Sequence, residues 1–214
     1  MSTADNTVTS WRAAFPAPDD APATLRNILS EQSLAAGTYL FHQGDPAKAV
    51  FVVASGIVRL ERHTAEGHAI VIHRARAGES LAEAALYADA YHCDAVAEAP
   101  ARVIVYPKDT MLALLQTDTA IAESVTAALA RHVQVLRTRL ELRNVRPALT
   151  RVFSYLELLA DGDGNIVLDR PLKDLAGEIG LTHEALYRAL ADLARNGDIA
   201  RDGHSISVRP PHIA

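Results

Sequence analysis

From Asp109 to Asn144 the chain runs without a glycine or a proline, in a stretch rich in alanine and leucine. Such a run is read as continuous helix, because it lacks the residues that break one and is built from the residues that form one best. The residues before it have the opposite texture. Between Leu34 and Pro107 short β-rich runs (Tyr39 to Phe41, Ala49 to Ala54, Ile57 to Leu60, Ala69 to His73, Arg102 to Tyr106) are punctuated by Gly37, Gly44, Gly56, Gly67 and Gly78. Many short strands with turn residues between them indicate a barrel or a jelly-roll-like sandwich. A chain that changes texture this sharply is α+β, with a strand-rich domain and a helix-rich one on either side of a long helix.

Composition narrows what such a chain does. No apolar run approaches the ~20 residues of a membrane span, and Met1 to Ser10 is polar with no basic start, so no membrane is expected and the location expected is cytoplasmic. Cys93 is the only cysteine; it cannot form an internal disulfide and excludes a four-cysteine zinc or iron–sulfur site. The net charge of -5 argues against nonspecific coating of nucleic acid, which depends on neutralising phosphates. Locally the balance differs. Arg131, Arg137, Arg139, Arg143, Arg146 and Arg151 face a single acid, Glu141, whereas Val145 to Ala214 is formally acidic.

Along the chain, residues 1–22 carry Pro16, Pro18 and Pro22 among small polar residues and read as a flexible tail, in which Trp11 and Phe15 pack at most locally. On the long helix Leu129, Val133, Leu136 and Leu140 are spaced by four, three and four. This is a heptad seam, either a dimer interface or a face packed on its own domain. Arg146-Pro147 marks a hinge, since the residue before proline is pushed out of the helical region. A helix striped by Leu149, Val152, Phe153, Leu156 and Leu159 follows and ends at Asp161 to Asn165. Asp169-Arg170-Pro171 then opens a helix with Leu172, Leu175 and Ile179 inside, and Gly180 makes a turn. Thr182 caps a second helix that closes at Asn196-Gly197. Projected at ~100° per residue, Leu186, Ala189, Leu190 and Leu193 fall on one side, and His183, Glu184, Tyr187, Arg188, Asp192 and Arg195 on the other. A hairpin about Asp202-Gly203 completes the pattern.

The segment RPLKDLAGEIGLTHEALYRALADLARNGDIARDGHSISV resembles the winged helix-turn-helix of the Crp/Fnr family of bacterial regulators, and the order of segments matches across most of the chain. The resemblance implies an N-terminal double-stranded β-roll sensor over 23–108, a dimerisation helix over 109–144 with Leu129, Val133, Leu136 and Leu140 at its interface, and a winged helix-turn-helix DNA-binding domain over 145–214. It implies a homodimeric transcription regulator, not an enzyme, that binds double-stranded DNA and contacts RNA polymerase. Asp169 to Glu178 becomes the supporting helix. Thr182 to Asn196 becomes the recognition helix, with His183, Glu184 and Arg188 at the base-reading places and Thr182 and Tyr187 beside them. Arg can donate two hydrogen bonds to guanine O6 and N7, and Glu can accept from cytosine N4.

Gly44-Asp45-Pro46, Val50 to Leu60 and Gly78 to Tyr87 resemble the family's β-roll. Gly78, Glu79 and Glu83 match the stretch that holds a cyclic nucleotide in some members, Glu83 at the ribose place, and Ala82 replaces a glycine. His92-Cys93 stands where a phosphate-binding arginine pair should be, and Glu83 to Glu98 contains no arginine or lysine. A buried phosphodiester needs a cationic partner, so cyclic nucleotide is not the expected effector. Haem is a second candidate, with Cys93, His92 and His73 as axial ligands. The bland alternative is a buried thiol and surface histidines. His63, His68 and His73, spaced by five, fall short of a zinc site. A cupin-like metalloenzyme shares the β texture but would need a His-x-His pair, which is lacking.

Overall fold

Two long strands organise the N-terminal part. β3 (Ala49–His63) and β6 (Asp94–Pro107) pair antiparallel from Ala49↔Pro107 to Glu61↔Asp94. Their register slips between Val53 and Val58, at Gly56. Gly56 has φ +83, and a Cβ there would lie 2.2 Å from the carbonyl oxygen of Pro100, so only glycine lets the strands pass this closely. Around this pair stand β1 (Ser30–Leu34), β2 (Tyr39–Phe41), β4 (Ala69–Arg76) and β5 (Ser80–Leu81), all antiparallel, in the order β1-β6-β3-β4 with β2 on β6 and β5 on β3. β4 ends the sheet and leaves Ile70 and Ile72 exposed.

This structure, a computed structural model, describes residues 14–168, 171–203 and 205–209. The chain divides into two compact units between Ala130 and Arg131. In the first unit, strand alternation sends Phe51 and Val53 to one cluster and Val50 and Val52 to another. The first cluster is the inside of the β-roll, filled by Phe41, Phe51 and Tyr91, with Phe41 and Tyr91 stacked at 3.8 Å between centroids. The second is covered by α1 (Ala23–Arg26), α2 (Lys108–Thr117) and the beginning of α3 (Thr119–Asn144), through Leu25, Met111, Ile121 and Val125.

Two expectations change here. Ala14, Phe15 and Ala21, placed in a flexible tail over 1–22, are buried in the second cluster. Phe15 packs on Tyr106, whose hydroxyl donates to the carbonyl of Pro16, so the prolines shape a strap rather than loosen the chain. Trp11 lies outside the described residues. The helix expected over 109–144 is two helices. Asp118 is extended (φ -117, ψ 100), and its carboxylate accepts from the amide of Ile121, capping α3.

The C-terminal unit packs α4 (Ala148–Leu159), α5 (Leu172–Glu178) and α6 (His183–Asn196) around Val152, Tyr155, Leu156, Leu175, Ile179, Leu186, Leu190 and Leu193. β7 (Asn165–Val167), β8 (Ile199–Asp202) and β9 (Ser205–Val208) form a sheet in the order β7-β9-β8, so the hairpin gains a third strand that the reading of Asp161 to Asn165 as a simple helix end did not contain. The asparagine that closes that turn starts β7, where Asn165 pairs with Ser207. α5 begins at Leu172 after Pro171; Asp169 and Arg170, expected to open it, lie outside the described residues.

Candidate nucleic-acid interface and sensor site

α6 is fixed at both ends. The Thr182 hydroxyl accepts from the amide of Ala185 at 3.2 Å, and the helix stops at Gly197. Leu186, Ala189, Leu190 and Leu193 are buried, while Thr182, His183, Glu184, Tyr187 and Arg188 are exposed on the other side. The imidazole of His183 lies against the Tyr187 ring, 4.4 Å between centroids and tilted by 57°. The carboxyl of Glu184 is held below the usual carboxylate range by its own backbone amide first, then by the Thr182 hydroxyl and the neighbouring His183 and Arg188. It therefore presents an anionic acceptor beside a cationic donor. Asp192 and Arg195, on the same side, pair with each other at 3.0 Å.

Several of the arginines before this motif grip the protein itself. Arg151 donates to the carbonyls of Val145 (2.8 Å), Ile179 (3.1 Å) and Gly180 (3.3 Å), and Arg143 donates to that of Gly177 (3.2 Å). Arg139 pairs with Glu178 at 3.6 Å, and the same carboxylate accepts from the Tyr155 hydroxyl. These guanidiniums meet the orphan carbonyls and the negative end of α5. Gly180 has φ +66, and a Cβ there would sit 3.3 Å from Arg143 Cγ and Nε, so the turn of the motif is closed against that side chain. No spacing in the sequence announces this grip, because the acceptors of Arg143 and Arg151 are carbonyls and the carboxylate that meets Arg139 lies far along the chain. Arg131, Arg137 and Arg146 remain exposed.

On α3, Val125, Ala128, Val135 and Leu142 are buried, whereas Leu129, Val133, Leu136 and Leu140 are exposed, up to 64% at Leu140. The seam is thus a second apolar face, distinct from the one the chain covers itself.

In the β-roll, Glu79 accepts from the amide of Arg76 and meets His73 at 3.3 Å. Ala82 adopts φ 65, ψ 26, the left-handed conformation. Glu83 accepts from the hydroxyl of buried Ser80, which itself accepts from the amide of Ala14. Ser80 and the Ala14 contact were not foreseen, since they join residues 66 apart. His92 is exposed, and its carbonyl accepts from Arg62 Nε at 2.8 Å. Burial pushes the half-buried Cys93 thiol up, against the pull of Arg62. Gly78 donates its amide to Val53.

These residues do not fit a cyclic nucleotide. Glu83 is bonded to Ser80 and through it to the N-terminal strap, Phe41, Tyr91 and Phe51 fill the roll, and Arg62 is exposed and bonded to a carbonyl. The haem candidates are not brought together either. His73, on β4, meets Glu79 at 3.3 Å, β3 lies between β4 and the strand β6 that His92 and Cys93 lead into, and a thiol raised by burial is a poor source of thiolate. His63 turns to Asp94 at 3.3 Å, where His42 approaches at 3.5 Å, rather than to His68 or His73. Among the described residues no group of three or more His, Cys, Asp or Glu side chains is placed to hold a metal ion, and no helix is long and apolar enough to cross a membrane.

Residues 31–118 match the family model described as the cyclic nucleotide-binding domain. The chain is 30% identical over 175 residues to the cyclic AMP receptor protein of Thermus thermophilus, covering 81% of each chain. It is 28% identical over 177 residues to the transcriptional regulator SdrP of the same organism, covering 80% of this chain and 85% of SdrP. The structure of FixK2 from Bradyrhizobium japonicum shares the fold, with a TM-score of 0.63 at 20% identity over 86% of this chain and 93% of that one. On this sequence likeness and this architecture, the chain belongs to the Crp/Fnr family of transcription regulators.

Proposed function

We propose that the chain binds a palindromic DNA operator as a homodimer and regulates transcription, with α6 as its recognition helix. The observation that carries this is α6 itself. It is a capped helix whose leucines are buried and whose free side offers an anionic acceptor, Glu184, beside a cationic donor, Arg188. In the major groove Glu184 accepts from cytosine N4 and Arg188 donates to guanine O6 and N7, each contact discriminating by about 1–3 kcal/mol. His183 and Thr182 stand at the entrance of the same face. Two-fold symmetry places half-site centres ~34–36 Å apart, one helical turn.

The dimer forms along the exposed seam of Leu129, Val133, Leu136 and Leu140, which supports this reading because a single chain leaves it uncovered. The domain organisation follows: sensor roll, dimerisation helices, reader. The stretch holding Gly78, Glu79, Glu83, His92 and Cys93 is the site through which the roll responds. Its signal biases a two-state equilibrium of the dimer, and cyclic AMP is not carried over as that signal from the Thermus receptor, given the misfit above. RNA polymerase contact follows from the family.

Selection of full-length protein against random DNA is expected to return symmetric sites with a G·C pair in each half. Replacing both Glu184 and Arg188 by alanine is expected to abolish the preference for that pair. Asymmetric sites, or selectivity unchanged in the double variant, would refute the proposal.

A further inference from the structure

Resting on the reading of α6 as the helix in the groove, we propose that Tyr187 determines specificity by packing its ring on the C5 methyl group of a thymine. The outward side of α6 otherwise carries His183, Glu184, Arg188, Asp192 and Arg195, all hydrogen-bonding or charged, and the small side chains of Ala191 and Ala194. Tyr187 is the large apolar surface on it, 43% exposed. Of the features that base pairs show in the major groove, the donors and acceptors suit Glu184 and Arg188, and the apolar feature is the thymine methyl.

The ring is also prepared for that contact. His183, one turn earlier, lies against it at 4.4 Å, restricting where the phenol can swing before DNA arrives. An aromatic side chain has two torsions to fix, so a ring already leaning on a neighbour loses little freedom on binding. Tyr187 adjoins Arg188 in sequence, one helical step of ~100° around the axis, which assigns the thymine to a pair neighbouring the guanine that Arg188 takes. His183 is a positioning residue here, steadying the ring while its own edge faces the groove.

The test uses the full chain and the operator returned by selection, with each thymine replaced in turn by deoxyuridine, which deletes one methyl group and leaves every hydrogen bond intact. Expected is a loss of about four-fold in affinity at one symmetric pair of positions, the worth of one buried methyl. The loss should persist in Tyr187→Phe, which keeps the ring, and vanish in Tyr187→Ala, which binds thymine and uracil operators alike. His183→Ala should shrink the thymine–uracil ratio. Equal binding at every substituted position overturns the inference, as does a ratio that survives Tyr187→Ala. A Tyr187→Phe variant weakened on all sequences alike, with uracil tolerated, would instead assign the hydroxyl to a phosphate and also overturn it. These outcomes leave the underlying reading intact if Glu184→Ala and Arg188→Ala still relax selectivity; selectivity that persists without Glu184 and Arg188 ends both.

Discussion

Ala82 shows what a single residue retains from a constraint its type no longer meets. It is the non-glycine residue with positive φ among the described residues, at φ 65. An alanine in this conformation brings its Cβ against the following carbonyl at a cost of ~1–2 kcal/mol, and glycine's freer unfolded chain returns ~0.4–1 of that. Ala82→Gly is therefore expected to stabilise the β-roll by about 1 kcal/mol, seen as a higher urea midpoint with unchanged slope. A lower midpoint would show that the turn is not strained. The sequence shows the replaced glycine but not that the backbone kept the glycine conformation, because that is enforced by Ser80–Leu81 pairing with β3 and by the Ser80–Glu83 bond.

At the scale of elements, the arginines divide by job. Arg151 meets three carbonyls about the hinge and the end of α5, so Arg151→Ala is expected to cost the C-terminal unit about 1–3 kcal/mol in thermal or denaturant unfolding. It should leave the salt dependence of DNA binding as it was. Arg146 is exposed just before the hinge, and Arg146→Ala should weaken all DNA sequences alike and lower the slope of log K against log salt by about 0.9, the signature of one lost phosphate contact. Salt titrations of the two variants separate the roles, and equal slopes would erase the distinction. What the sequence makes legible at this scale is what local chemistry decides: the glycine-punctuated strands, the helix-turn-helix about Gly180, the Thr182 cap, the hairpin at Asp202-Gly203. What stays hidden is decided at a distance. The strap of Ala14 and Phe15 needs Ser80 and Tyr106, and β7 needs β9; the break at Asp118 is the local exception, hidden because it rests on the direction of one carboxylate, turned onto the amide of Ile121. In the candidate site the outward set of α6 is legible from periodicity, whereas the His183–Tyr187 contact and the misfit of Glu83 depend on side-chain directions that periodicity does not fix.

For the whole molecule, a net charge of -5 means that attraction to phosphate comes from few residues and that pairing two readers matters more than bulk charge. Leu136→Glu places a charge in the middle of the exposed seam. It should yield monomers in sedimentation, with operator affinity reduced by about a hundred-fold or more as the second half-site is lost; a dimer persisting in that variant would move the interface elsewhere. A different liability lies in β4. Its outer rim ends the sheet with Ile70 and Ile72 bare to water, and among the described strands none lies beyond it. Open amides beside branched apolar side chains invite a foreign strand to zip on, and of the charges at one end of the strand Arg74 is already paired with Glu98. Crowded, overproduced chains will therefore stick first along that rim, so the purity and shelf life of any preparation will be governed there rather than by the part that meets DNA.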